Sequence, residues 1–155
     1  MQKPMWPAVE GAVVFPDGRS VRGTGLRSRP VGGPDPQFGV YLLGRAPSPV
    51  PWPYQWIRWP DFRTPSDSVA AVTILREAHA RSASERVEIG CGGGIGRTGT
   101  AMAVLAVLSG VPAAEAVAWV RNHYHRRAVE TPFQRRWVQR VAAEIKEMSA
   151  PRCPS

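Results

Sequence analysis

Cys91 and Arg97 stand in the run Ile89-Gly90-Cys91-Gly92-Gly93-Gly94-Ile95-Gly96-Arg97-Thr98-Gly99, with five residues between them. Four of those five are glycine. Glycines let successive backbone N–H groups turn inward around an oxyanion. A helix opening directly after the loop adds the positive end of its dipole. A cysteine thiolate in such a cradle can attack phosphorus and form a phosphocysteine. Arg97 offers a planar fork to two phosphate oxygens and to the charge that develops in the transition state. Thr98 is placed to donate a hydrogen bond to the sulfur. Cys91, Arg97 and Thr98 are therefore the candidate reacting groups. Gly92, Gly93, Gly94, Ile95 and Gly96, with Arg97, are the candidate anion cradle.

Two other loop types compete for the same residues. The ATP-type loop G-x-x-x-x-G-K-[ST] would need glycine at Cys91 and lysine at Arg97. The dinucleotide pattern G-x-G-x-x-G is met by Gly94, Gly96 and Gly99, but such a match is cheap in so glycine-rich a stretch. It also falls late in the chain, with too little sequence after it for a full dinucleotide-binding sheet. Read alone, Cys91 is a small buried hydrophobe and the glycines a turn.

The run Cys91–Gly99 resembles the signature loop of the protein-tyrosine phosphatases. Two further elements carry the resemblance. Trp59-Pro60-Asp61-Phe62, with Asp61 lying 30 residues before the cysteine, is similar to the family's mobile Trp-Pro-Asp loop. Glu130-Thr131-Pro132-Phe133-Gln134 is similar to its Q-loop. The ordered set covers residues 55–140. It implies that Asp61 protonates the leaving oxygen and then activates water, and that Gln134 positions that water. Taken alone, Asp61 reads as a turn carboxylate and Gln134 as a solvated helix residue. The chain departs from the family pattern at Gly90, where histidine is usual, and at Glu130, where larger members carry glutamine. A carboxylate is an awkward neighbour for a phosphate, so Glu130 is expected to face away or to pair with an arginine.

The surrounding pattern supplies elements to hold these residues. Ala12–Phe15 and Ser20–Gly23 flank the turn Pro16-Asp17-Gly18 and form a hairpin. Val40–Leu43, Gln55–Trp59 and Arg86–Ile89 read as short strands. Thr64 caps a helix with Pro65 in its first turn, running to Ala80 with Val69, Val72 and Leu75 inward. Thr98–Leu108 is a central apolar helix. Pro112 opens a helix over Ala113–Tyr124. A last helix starts near Thr131-Pro132, with Phe133, Trp137, Val141 and Ile145 on its apolar face. Trp52, Trp56 and Trp59 are assigned to the sheet edge, and His79 to a surface or edge position. The fold class is α/β: a central, mostly parallel sheet flanked by helices.

Length and composition agree with one phosphatase domain over 1–149 and a tail over 150–155. The 155 residues are 43% hydrophobic, enough for a real core. The net charge of +8 comes from 20 basic residues, all arginine except Lys3 and Lys146. Such a surface steers anions without selecting one partner. Cys91 and Cys153 make no disulfide framework, and Cys153 reads as an incidental tail thiol. No segment has the length or pattern of a membrane span or secretory signal, so the expectation is a monomeric cytoplasmic enzyme. His123 and His125 lack the carboxylate or cysteine company of a metal site. No cofactor is expected, because amides and Arg97 supply the positive field. The expected substrate is a phosphate monoester, foremost phosphotyrosine in a protein or peptide. Dual-specificity, RNA 5′-end and phosphoinositide phosphatases share the loop and remain alternatives, as does a non-catalytic phosphate-binding module. Nucleic acid as a standing partner and membrane association are not expected.

Overall fold

The computed structural model describes residues 4–29 and 32–149. Cys153 and the 150–155 tail lie outside the described residues. Five strands form one sheet in the order β1-β2-β5-β3-β4. They are β1 (Ala12–Val14), β2 (Ser20–Gly25), β3 (Phe38–Leu43), β4 (Tyr54–Arg58) and β5 (Val87–Cys91). The expected hairpin is present: β1 and β2 pair antiparallel with Val13 opposite Val21. Gly18 takes φ 88° in the turn, which a side chain would resist. The other pairings are parallel, with β5 between β2 and β3. Every residue of β5 is buried, as befits a strand covered on both faces.

Buried Glu88 in β5 is the charged exception. Its carboxylate accepts from Arg22 at 2.6 Å, Arg29 at 2.7 Å and the Tyr41 hydroxyl at 2.8 Å. Burial, and then the Glu88 charge, push Tyr41 up to about 12. Removing one partner from so buried a charge costs about 3–5 kcal/mol. The cluster therefore ties β2, β3 and the segment around Arg29 to the central strand.

The helices are α1 (Ser68–Arg81), α2 (Gly96–Leu108), α3 (Ala116–His123) and α4 (Pro132–Ser149). Helix α2 is buried from Gly96 to Ala106 and packs against the other three, confirming a central apolar helix. Several expectations are corrected. Asp67, not Thr64, caps α1, accepting from the Ala70 amide at 3.0 Å. The Ser66 amide is instead bonded to the Arg58 carbonyl, which keeps Pro65 and Ser66 outside the helix. The inward face of α1 is Ala71, Leu75 and Ala78, while Val69 is exposed. Two residues at about 100° each put Val69 on the far side from Ala71. Phe133 is exposed too; the rest of the expected α4 face, Trp137, Val141 and Ile145, is buried, and Gln134 and Val138 join it. The helix after Pro112 is divided into a 3₁₀ turn, Ala113–Glu115, and α3. Trp59 belongs to the core, meeting Trp137 edge to face at 5.2 Å. Such a pair contributes about 0.5–1.5 kcal/mol beyond its buried area.

His79 is half-buried, within 3.1 Å of both Asp17 and Ser109. It links α1, the hairpin turn and the end of α2.

Candidate active site

The parallel strands deliver their C-terminal ends to one rim of the sheet. Central β5 ends at Cys91, and β4 ends just before Trp59-Pro60-Asp61. Ligand sites in open α/β sheets form at this rim. The loop after β5 runs straight into α2, so the first turn of the helix is part of the cradle. Gly94 turns the loop with φ 74°, and a Cβ there would stand 2.5 Å from the Gly25 amide nitrogen. Only glycine fits that approach.

The buried Cys91 Sγ accepts from the Gly94 amide at 3.2 Å and from the Thr98 hydroxyl at 3.0 Å. Among the described residues, the amides of Gly92, Gly93, Ile95, Gly96 and Arg97 donate to no backbone carbonyl. They are the orphan donors expected where a loop meets a helix start. The Arg97 side chain is buried, and its Nη1 donates to the Trp59 carbonyl at 3.0 Å. Its Nε lies 3.5 Å from Asp61 Oδ1, an ion-pair distance without a hydrogen bond. The guanidinium thus retains donor capacity toward the cradle. Asp61 is half-exposed, and its Oδ1 accepts from the Phe62 amide at 2.9 Å. Phe62 itself stands at φ 61°, an uncommon region for a bulky residue. The Asp61 segment is closed by the Trp59 indole N–H, which donates to the Arg63 carbonyl at 2.6 Å.

Cys91, Arg97, Thr98 and Asp61 are therefore brought together. The side-chain amide of Gln134 is committed to backbone partners and makes no hydrogen bond to the thiol. Its Oε1 accepts from the amides of Glu130 and Thr131 at 2.9 and 3.2 Å. Its Nε2 donates to the Arg63 carbonyl at 3.2 Å. In this geometry Gln134 ties the start of α4 to the Asp61 segment. Glu130 is exposed, but its carboxylate folds over Gly96 at the start of α2. Among the described residues it has no arginine partner. The N-terminal helix dipole accounts for this placement.

The missing histidine has a steric explanation. A Cβ on Gly90 would lie 2.9 Å from Thr24 Cγ2 and 3.1 Å from Leu26 Cδ2. Gly90→His is expected to overpack this contact and destabilise the fold by about 1–3 kcal/mol in denaturant unfolding. An unchanged midpoint would show that the neighbours yield freely.

Three supporting groups carried no sequence motif. The Tyr124 hydroxyl donates to the Gly94 carbonyl, holding the peptide whose neighbouring N–H faces the sulfur. Burial, and then the Cys91 charge, push its phenol well above the usual range. Arg121 donates to the Ala128 and Val129 carbonyls at 2.9 and 2.8 Å, and so holds Val129 at φ 62°. Arg27 lays its guanidinium beside Gly92. Of the histidines set aside as metal ligands, His123 stacks on Trp119 and His125 accepts from the Arg127 amide.

The family model of the protein-tyrosine phosphatases matches residues 44–143. The chain belongs to the protein-tyrosine phosphatase family, and its activity is phosphoester hydrolysis of that type. The structure is similar to Tk-PTP in its active form, with 26% identity, a TM-score of 0.67, and coverage of 90% of this chain and 99% of that one. A mutant form of Tk-PTP matches at 25% identity and the same TM-score of 0.67, over 88% of this chain and 97% of that one. PTPMT1 shares the fold at 12% identity and a TM-score of 0.52, covering 73% of this chain and 80% of its own. No curated protein matches the chain at a significant level.

Proposed function

We propose that the chain dephosphorylates phosphotyrosine in proteins or peptides, through a phosphocysteine on Cys91. The observation that carries this reading is the convergence of a sulfur, backbone amides, a guanidinium and a carboxylate at one loop. The Cys91 sulfur is held by two donors, and Arg97 stands 3.5 Å from Asp61. In the first step the thiolate attacks phosphorus. The S–P bond forms, the P–O bond to the phenol breaks, and Asp61 in its acid form gives its proton to the leaving oxygen. In the second step Asp61 takes a proton from water, whose oxygen attacks phosphorus. The S–P bond breaks, and the sulfur departs as a thiolate accepting from Thr98 and Gly94. Arg97 and the free amides of Gly92, Gly93, Ile95 and Gly96 hold the equatorial oxygens throughout. Gln134 acts as a positioning residue through its bond to the Arg63 carbonyl.

Amides and one guanidinium provide the positive field, so the reaction runs with no metal or cofactor. No described helix is long and apolar enough to cross a membrane. A monomeric enzyme in the reducing cytoplasm suits a reactive thiol.

The test is turnover of aryl phosphates in chelator and reductant, comparing wild type with Asp61→Asn. With phenyl phosphate, a poor leaving group, the variant is expected to lose about 10²–10⁴-fold in kcat/KM, which reports the first step alone. With p-nitrophenyl phosphate, whose phenolate departs unaided, the loss in kcat/KM should be much smaller. Equal losses in kcat/KM on both substrates would remove Asp61 from the role of acid.

A further inference from the structure

Beside the catalytic rim lies a groove, about 780 Å³ in volume, between the Asp61 segment and α4. Its walls carry Phe62, Arg63, Phe133, Arg136 and Arg140, while Trp137 forms part of its lining. Phe133, Arg136 and Arg140 recur at intervals of three and four on α4, so they share one stripe of that helix. The hydrolysis step uses none of these side chains. Phe62 and Phe133 are 57% and 65% exposed, and all three arginines are exposed. The Arg136 guanidinium sits 5.5 Å above the Phe133 ring. Among the described residues, none of the three arginines forms an ion pair. Asp61 supplies the lone carboxylate of the lining, and it also faces Arg97. Asp61 thus stands at the edge of the groove that borders Arg97.

We propose that this groove binds the residues flanking the phosphorylated side chain of a protein substrate, and that it selects acidic ones. The inference rests on the phosphatase reading above. Uncompensated guanidiniums favour carboxylates, which they can grip through two parallel bonds. The two exposed rings add apolar contact for the peptide stem. A basic flank would meet three like charges and be rejected.

The experiment uses the full chain and three substrates. Two are phosphotyrosine peptides of equal length, one with Asp and Glu on both sides of the phosphotyrosine and one with Ser and Ala. The third is p-nitrophenyl phosphate, which has no flank. Wild type is expected to favour the acidic peptide by about five- to tenfold in kcat/KM at low salt, with the preference shrinking at high salt. The double variant Arg136→Ala/Arg140→Ala should lose that preference while hydrolysing p-nitrophenyl phosphate as wild type does, which also reports that it is folded. Arg136→Glu/Arg140→Glu should turn the preference toward the neutral peptide. A wild type that treats both peptides alike, or variants that keep the acidic preference, would overturn the proposal while leaving the phosphatase reading intact. No turnover of any of the three by wild type would overturn that reading, and this proposal with it.

Discussion

Cys91→Ser is expected to abolish turnover of p-nitrophenyl phosphate, with a loss of at least about 10⁴-fold, while phosphate binding persists. The substitution replaces sulfur by oxygen and little else. Gly94 and Thr98 would still donate into the site, and the amide cradle and Arg97 would be untouched. What disappears is the nucleophile. A serine hydroxyl holds its proton and needs an adjacent base, and no base contacts the sulfur position among the described residues; its two partners, the Gly94 amide and the Thr98 hydroxyl, donate to it. Rate and affinity therefore separate: kinetics should show no turnover, and titration calorimetry should show phosphate bound with an affinity near that of wild type. Residual turnover within about tenfold of wild type would rule out a phosphocysteine. Loss of phosphate binding together with turnover would show that the sulfur shapes the cradle as well as reacting in it.

Arg97→Lys should cost about 10²–10³-fold in kcat/KM despite keeping the charge. Arg97 has two duties that a lysine cannot combine. One nitrogen donates to the Trp59 carbonyl at 3.0 Å, and the Nε edge lies beside Asp61 and the cradle. An ammonium is a point donor, so it must abandon either the phosphate or the Trp59 carbonyl. If it keeps the phosphate, the Asp61 segment loses its tether and kcat falls. If it keeps the carbonyl, phosphate affinity falls and KM rises. Kinetics on aryl phosphates, with the dissociation constant of inorganic phosphate, separate the two. A loss below about fivefold would show that charge suffices and that the planar fork is dispensable.

The chemistry-bearing loop was legible because it is contiguous. Cys91, the glycines, Arg97 and Thr98 are placed by one strand end and one helix start, and local backbone geometry dictates both. The hairpin around Gly18 and the apolar α2 were legible for the same reason: turn chemistry and hydrophobic patterning are local signals. The mixture of strands and helices also implied a central, mostly parallel sheet flanked by helices. Side-chain direction was less legible. Val69 and Phe133 each fit an apolar spacing, yet both are exposed: they stand in the first turns of their helices, while Leu75 on α1 and Trp137, Val141 and Ile145 on α4 are buried as expected. The cap of α1 moved to Asp67 because the Ser66 amide found a long-range acceptor in Arg58.

The reacting loop, its order relative to Asp61 and Gln134, and the class of fold all follow from local signals in the chain. What those residues touch follows from long-range packing. The β4–β3–β5 pairing brings Asp61 to Arg97 across a long stretch of chain. Gln134 is drawn into backbone bonds with Glu130, Thr131 and Arg63. Thr24 and Leu26 crowd Gly90, and Tyr124 reaches Gly94 from α3's end. None of these is a local property. Each depends on two distant segments meeting at hydrogen-bond or van der Waals range, and residue spacing along a chain does not encode that meeting.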